Sequence, residues 1–115
     1  MKGAQLGFIV IVFRPMPHLF TGAAFFWRYH MMTRVAVMSI IVENADSTEK
    51  LNAILHEHGE FIIGRMGIPY RKRGINIISI ALDAPQDTIS ALSGKIGNLS
   101  GISVKTAYSS VQSNG

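Results

Sequence analysis

Few side chains of this sequence could perform acid–base, nucleophilic or metal chemistry, and their spacing keeps them apart. The chain has no cysteine, which excludes disulfides, thiolate metal sites and cysteine nucleophiles. His56 and His58, in HEHG, suggest a metal site because imidazole is a common ligand. Residues two apart on a helix point to different faces, so these two rings cannot chelate one ion together unless the helix ends early. Packing is the favoured role for His58, and both histidines remain weak metal candidates.

The carboxylates and serines give no stronger case for catalysis. Asp46 and Glu49 have the spacing of a capping-box variant at a helix start. The segment ENADST contains no glycine, so no phosphate-binding loop precedes that helix. Ser39 and Ser79 lie in apolar strands, where small packing residues are expected. We therefore expect neither an enzyme nor a cofactor.

The densest group of cations lies in GRMGIPYRKRG, from Gly64 to Gly74. In one interpretation this is a β-hairpin whose turn is shaped by Gly67 and Pro69, and the cations are a solvated tip that discourages edge pairing. In the other, the cations and the backbone N–H groups freed by glycine attract an anionic ligand or partner surface. The candidate binding residues are Arg65, Gly67, Pro69, Tyr70, Arg71, Lys72 and Arg73.

The net charge of +4 is unevenly distributed along the 115 residues. Residues 1–31 carry three cations and no acid, whereas residues 32–115 carry eight Lys or Arg against seven Asp or Glu. Because the larger part is nearly neutral, we expect no direct nucleic acid binding. Nothing in the composition requires an oxidising compartment, and we expect a cytoplasmic protein.

The sequence pattern of residues 1–31 differs from that of the remaining chain. The apolar run LGFIVIVF is far shorter than the roughly 20 residues that a membrane-spanning helix needs, and Pro15 and Pro17 interrupt the sequence after it. A clean signal-peptide pattern is absent. A targeting or membrane-surface extension stays open, but we favour a mistaken start, with synthesis beginning at Met31 or Met32. We expect this extension to add no element to the fold and no attachment to a membrane.

From Arg34 onward the pattern alternates between strands and helices. Glycine ends both predicted helices, Pro85 suits the first turn of the second, and Gly64 indicates a bulge or a close backbone approach in the second strand. The order predicts an α+β, ferredoxin-like βαββαβ sandwich over residues 32–111, with a four-stranded antiparallel sheet, two helices on one face and a tail at 112–115. The predicted strands are Val35–Val42, Glu60–Met66, Ile75–Leu82 and Ile102–Val111, and the helical stripes are Leu51, Ile54, Leu55 and His58, then Ile89, Leu92 and Ile96.

The two halves of this pattern resemble each other, and both are apolar on two faces. Displaced by 40 residues, VAVMSIIVENAD overlies INIISIALDAPQ, with Ser39 on Ser79. In the first strand Val37 and Ile41 share one face, while Met38 and Ile40 share the other. Two helices can cover only one face, so the other leaves an apolar patch. We therefore expect a homo-oligomer that assembles through its sheet or sheet edges.

The range Arg34 to Val111 resembles the family of iron-only hydrogenase system regulators. GRMGIPYR, the basic turn after it and INIISI carry the resemblance most specifically, and LSGKIGNLSGISVK supports it. The resemblance implies an ACT-like fold, related to the ligand-sensing domain of nickel-responsive repressors, and a role associated with hydrogenase maturation. Two departures matter. ENAD lacks the glycine that amino-acid-binding ACT domains place after their first strand, and the cysteine used by nickel-responsive repressors is absent.

The resemblance thus implies an oligomeric ACT-like regulatory domain, a dimer or tetramer. Its partner is expected to be a small anionic ligand or a hydrogenase-maturation protein. The alternative is a module that senses an amino acid, or nickel or iron, directly.

Overall fold

The structure, a computed structural model, describes residues 9–12 and 32–112, in which strands and helices alternate as predicted. The strands are β1 (Ile9–Val12), β2 (Arg34–Val42), β3 (Ile62–Tyr70), β4 (Ile75–Ala84) and β5 (Ile102–Gln112), and the helices are α1 (Thr48–Glu57) and α2 (Gln86–Gly97).

The strands form one antiparallel sheet in the order β1-β3-β4-β2-β5. Its four main strands, β3-β4-β2-β5, have the order that a βαββαβ chain takes in a ferredoxin-like sandwich. The predicted α+β fold is therefore confirmed. The bulge predicted at Gly64 is also confirmed, because the pairing of β3 with β4 shifts between Ile62 and Gly64.

The short strand β1 was not expected from the sequence. It pairs antiparallel with the outer edge of β3, with Ile9 opposite Gly67 and Val12 opposite Gly64. The expectation that residues 1–31 add no element therefore does not hold for Ile9–Val12. The physical reason is that β3 would otherwise be an edge strand with free backbone groups, and the β-branched run IVIV favours an extended chain. The other predictions for residues 1–31, and for the tail after Gln112, lie outside the described residues.

The core lies between one face of the sheet and the two helices. Alternate residues of β2 and β4, among them Met38, Ile40 and Ile80, are fully buried there. Both predicted helical stripes meet them, with Leu51 and Leu55 on α1 and Ile89, Leu92 and Ile96 on α2. Each such side chain contributes roughly 1.5–3 kcal/mol of transfer free energy on burial.

Two loops at one end of the sheet hold each other. The backbone N–H of Glu43 donates to the carbonyl of Gly101 at 2.7 Å, and the Ser47 hydroxyl donates to the carbonyl of Ser100 at 2.7 Å. Asn44 Oδ1 accepts from the N–H of Asp46 at 3.0 Å and begins a 3-10 turn, Ala45–Ser47, that leads into α1. The predicted capping box of Asp46 and Glu49 is therefore wrong, since Ser47 is the N-cap and its hydroxyl is committed to the other loop.

The opposite end of β2 is fastened by the guanidinium of Arg34. This group lies 4.6 Å over the ring of Tyr108 in β5 and donates to Gln86 Oε1 in α2 at 2.8 Å. Gln86 Nε2 in turn donates to the Tyr108 hydroxyl at 2.8 Å. The first residue of β2 is thereby tied to both a neighbouring strand and a helix.

Gly101 provides a test of the contact between the two loops. Its φ is +71°, and an added Cβ would lie 2.5 Å from the Cβ of Asn44. Gly101→Ala should therefore lower the free energy of unfolding by about 2 kcal/mol or more in urea denaturation. The control is Gly94→Ala in α2, where an added Cβ meets nothing within 4 Å; it should raise stability by up to about 1 kcal/mol. Equal effects of the two changes would contradict this account of the loops.

Removal of residues 1–31 tests how far the fold depends on β1. Of the residues whose burial the structure describes, those of the core lie between Ala36 and Ile102, and β1 pairs with β3 alone among the described strands. A chain of residues 32–115 should therefore still melt cooperatively, with stability lowered by no more than about 1–2 kcal/mol for the lost edge pairing. Loss of the cooperative transition, measured by circular dichroism, would show that the first segment completes the core.

Candidate functional site

The candidate binding residues of GRMGIPYRKRG do not converge on one site. Gly67 and Pro69 lie inside β3, opposite Ile78 and Asn76 of β4, so the prediction that they shape the turn is wrong. The reversal is a 3-10 turn of Arg71–Arg73 followed by Gly74, whose φ is +66°. The strand continues to Tyr70 because β4 pairs with every residue from Gly64 onward, and the left-handed position that needs glycine comes only at Gly74.

The candidate cations lie in two separate places. Arg71, Lys72 and Arg73, here called the cationic turn, are exposed beyond the end of β3. Arg65 lies in the body of β3, about 17 Å from Tyr70 at the spacing of an extended chain. The two places cannot contact one small ligand together.

Arg65 is a half-buried cation with a single hydrogen bond to a described residue. Its Nη2 donates to Oδ1 of Asn52, in α1, at 3.1 Å, and within the described ranges no carboxylate pairs with it. Desolvation by burial lowers the pKa of Arg65, yet an arginine keeps its proton in proteins. Among the candidate binding residues, Arg65 is therefore a partly desolvated cation whose described hydrogen-bond partner is a neutral amide.

The helix ends one residue earlier than its apolar stripe predicted, so His56 lies in the last turn of α1 and His58 is the residue that follows it. His56 is exposed, whereas His58 is half-buried and its Nδ1 lies 2.8 Å from the carbonyl oxygen of Ile54. A carbonyl oxygen only accepts hydrogen bonds, so Nδ1 of His58 carries the proton. This hydrogen bond satisfies a backbone carbonyl in the last turn of α1. Among residues 9–12 and 32–112, no group of three or more His, Cys, Asp or Glu side chains could hold a metal ion.

The sheet face turned away from the helices, called the open face below, carries exposed apolar side chains. Its four most prominent apolar side chains are 40–43% exposed, and no described element covers them. They come from three strands and are Val37, Ile41, Met66 and Ile77. This confirms the prediction that the strands are apolar on two faces, and such a patch usually marks an interaction site.

The register of the strands defines a polar row across the middle of the open face. Ser39 lies opposite Ser79 on one side and opposite Lys105 on the other, and Ser79 lies opposite Met66. Ile41 and Ile77 pair in the next row, and Val37 pairs with Ala81 in the row on the other side. The face is therefore apolar around two central hydroxyls, with Lys105 at its β5 side and Asp83, opposite Val35, at one end.

Sequence reasoning found Val37 and Ile41 on this face but missed Met66 and Ile68. Without the bulge, simple alternation from Ile62 would bring Met66 to the buried face beside Ile78. The extra residue between Ile62 and Gly64 shifts the register by one, so that Met66 meets Ser79 on the open face. Gly64 was the residue in the sequence that signalled this shift.

Substitution of two glycines by valine separates the turn from the strand. Gly74→Val should lower the free energy of unfolding by about 1–2 kcal/mol, because a β-branched residue is strained at positive φ. Gly67→Val should change it by less than about 0.5 kcal/mol, since φ is not positive there and an added Cβ is 4.0 Å from Ile78 Cγ1. Thermal and urea denaturation of both variants measure the difference, and a larger loss at Gly67 would place the critical glycine in β3.

Among the described residues, no helix is long and apolar enough to cross a membrane. The chain is similar in structure to the uncharacterized protein TM1266 from Thermotoga maritima, with a TM-score of 0.64 and 38% sequence identity over 66% of this chain and 96% of that chain. No curated protein matches it significantly. Residues 34–106 match the TM1266-like family, described as "Iron-only hydrogenase system regulator, putative". The resemblance carried by GRMGIPYR is thereby confirmed, and the chain belongs to the TM1266-like family of iron-only hydrogenase system regulators.

Proposed function

We propose that the chain is a cytoplasmic regulator of the iron-only hydrogenase system that acts by binding and not by catalysis. In this proposal it is an oligomeric, ACT-like domain. The observation that carries the proposal is the open face, where Val37, Ile41, Met66 and Ile77 are each at least 40% exposed in the middle of a sheet. Burial of this surface against another molecule is favourable, and it requires no chemistry from the chain.

The arrangement of polar side chains on the open face argues against a covalent mechanism. Ser39 is the best placed hydroxyl, because Lys105 lies opposite it across the strand pair. A lysine that acts as a general base is normally desolvated so that it loses its proton readily. Lys105 is exposed, and Ser79, on the other side of Ser39, is not a base. This pair is better suited to an interface than to nucleophilic attack.

The cationic turn is the surface proposed to select the partner. Arg71, Lys72 and Arg73 are exposed, and within the described ranges none is paired with a carboxylate. An acidic surface of a hydrogenase-maturation protein would gain long-range attraction from three such charges, chiefly in its rate of association. Their isolation on a turn also leaves them free to approach a partner without moving the sheet.

Direct sensing of a small anionic ligand is the second candidate, and Arg65 favours it. A carboxylate beside Arg65 and Asn52 would pair with a cation that is already partly desolvated, which strengthens the interaction. An amino acid fits this chemistry. Direct sensing of nickel or iron has weaker support, because exposed His56 and half-buried His58 are the only histidines in the described residues.

A gene deletion tests the proposed function. In a host that makes an iron-only hydrogenase, loss of this chain should change hydrogenase activity or the amount of its maturation proteins. Re-expression of the full chain should restore the original level, whereas a host without the hydrogenase provides the control. Unchanged hydrogenase activity and unchanged maturation proteins on deletion would overturn the regulatory role.

The triple variant Arg71→Ser, Lys72→Ser and Arg73→Ser tests the cationic turn. Its stability should change by less than about 1 kcal/mol, since exposed charges contribute little to folding. If the turn recognises an anionic partner, the variant should fail to restore regulation in the deletion host, and the wild type should lose its partner as salt is added. Full restoration by the triple variant would reduce the turn to a solvated hairpin tip.

A thermal-shift screen separates the two candidates. Amino acids, nucleotides and nickel or iron ions are each added to the purified full chain, and a ligand that binds the folded state should raise Tm with concentration. A shift produced by an amino acid in the wild type but not in Arg65→Met would favour direct sensing at Arg65. No shift with any compound favours a protein partner.

A further inference from the structure

We propose that the open face binds a second copy of this chain, forming a face-to-face two-fold dimer with the Ser39–Ser79 pairs at its centre. The inference rests on the proposed function, in that it names the first partner of the same surface. Three properties of the face support a second copy over a different protein: its internal symmetry, its size and the position of its one cation.

The internal symmetry follows from the sequence repeat and the strand register together. The repeat overlies Ser39 on Ser79 after a displacement of 40 residues, and the pairing of β2 with β4 puts the same two residues opposite each other. An approximate two-fold axis therefore passes between them, perpendicular to the sheet. It exchanges β2 with β4 and β3 with β5, and only β1, outside β3, has no counterpart in the described sheet.

A face with this symmetry is well suited to pack on itself. An isologous interface needs each patch to complement its own copy turned through 180°. Because the two central strands, β2 and β4, share one profile, a second copy presents matching apolar and serine rows to the middle of the face. The apolar rows then stack on apolar rows, and the four small serine side chains lie at the centre.

The open face is also large enough for a stable dimer. Four strands about 4.8 Å apart and about 26 Å of each strand give on the order of 500 Å² per copy. Two copies thus bury about 1,000 Å² or more, which reaches the lower limit for specific interfaces. Two aligned sheets would pack about 10 Å apart, the separation found in β-sandwiches.

Lys105 selects between the two ways in which the copies can be related. Lys105 and Met66 lie at opposite ends of the central row. A two-fold axis along that row would stack Lys105 on Lys105 of the second copy, and like charges in an interface are strongly unfavourable. An axis along the strands instead stacks Lys105 on Met66 of the second copy, where the lysine stem covers the thioether while its ammonium reaches water. The geometry therefore favours the axis along the strands.

Sedimentation equilibrium on the full chain tests the dimer. The wild type should dimerise at micromolar concentration, and Ser39→Arg should raise the dissociation constant at least about 100-fold by placing unpaired charges at the centre of the interface. Ala91→Arg, on the exposed side of α2, adds the same charge away from the face and should change it less than about twofold. Circular dichroism must show both variants folded, and Val37→Arg replaces Ser39→Arg if that variant is not.

A charge exchange at Met66 tests the direction of the axis. With the axis along the strands, Met66→Glu meets Lys105 of the second copy and should keep the dimer within about tenfold of the wild type. Met66→Lys should weaken it by at least about tenfold more than Met66→Glu does, since like charges then meet. With the axis along the row, each variant faces itself and both weaken equally, which would overturn the predicted orientation.

Two other outcomes would overturn the dimer itself. A chain that stays monomeric up to high micromolar concentration has no such interface, and a dimer that Ser39→Arg and Val37→Arg leave intact must form elsewhere, for example at the free edge of β5. A monomer whose open face binds a hydrogenase-maturation protein would also exclude the second copy. In that case the deletion experiment would still succeed, so failure of the dimer is distinguishable from failure of the regulatory role.

Discussion

The arrangement depends on one constraint: a four-stranded sheet with two crossover helices has more apolar face than its helices can bury. Crossovers between parallel strands are right-handed in nearly all proteins, and in the order β3-β4-β2-β5 this brings α1 and α2 to the same face. Met38, Ile40 and Ile80 are fully buried between that face and the helices. The same strands place Val37, Ile41 and Ile77 on the opposite face, where only another molecule or another part of the chain can bury them.

Sequence patterning predicted the features that depend on local periodicity. Local spacing of apolar residues predicted the helical stripes on α1 and α2 and the extent of β2. Such spacing is informative because burial acts on one helix face or one strand face at a time. The errors arose where a distant partner decides the outcome. Gly67 and Pro69 are typical of turns, yet pairing with β4 holds them in a strand, and the reversal waits for Gly74. Similarly, the bulge at Gly64 was predicted, but its effect on Met66 depends on the register with β4.

The loops between strands and helices show the same dependence on distant residues. ENADST, after the first strand of the ferredoxin-like fold, contains no glycine. In the structure the glycine of the close backbone approach is Gly101, in the loop after α2, and it lies against Asn44. The two loops that contain these residues exchange hydrogen bonds. Spacing within ENADST favoured Asp46 as a cap, but Asn44 and Ser47 are positioned by the second loop. No pattern within six residues contains that information.

The candidate surfaces also share one strand, which bears on how regulation could arise. Arg65 and Met66 are neighbours in β3, so one belongs to the side of the helices and the other to the open face. The cationic turn continues the same strand. A ligand at Arg65 or at the turn can change association through the open face only if it binds the monomer and the assembled form with different affinity. β4 pairs with β3 along most of its length, and the pairing is irregular between Ile62 and Gly64. The irregular pairing at Ile62 and Gly64 is where the strand can yield with least loss of hydrogen bonds.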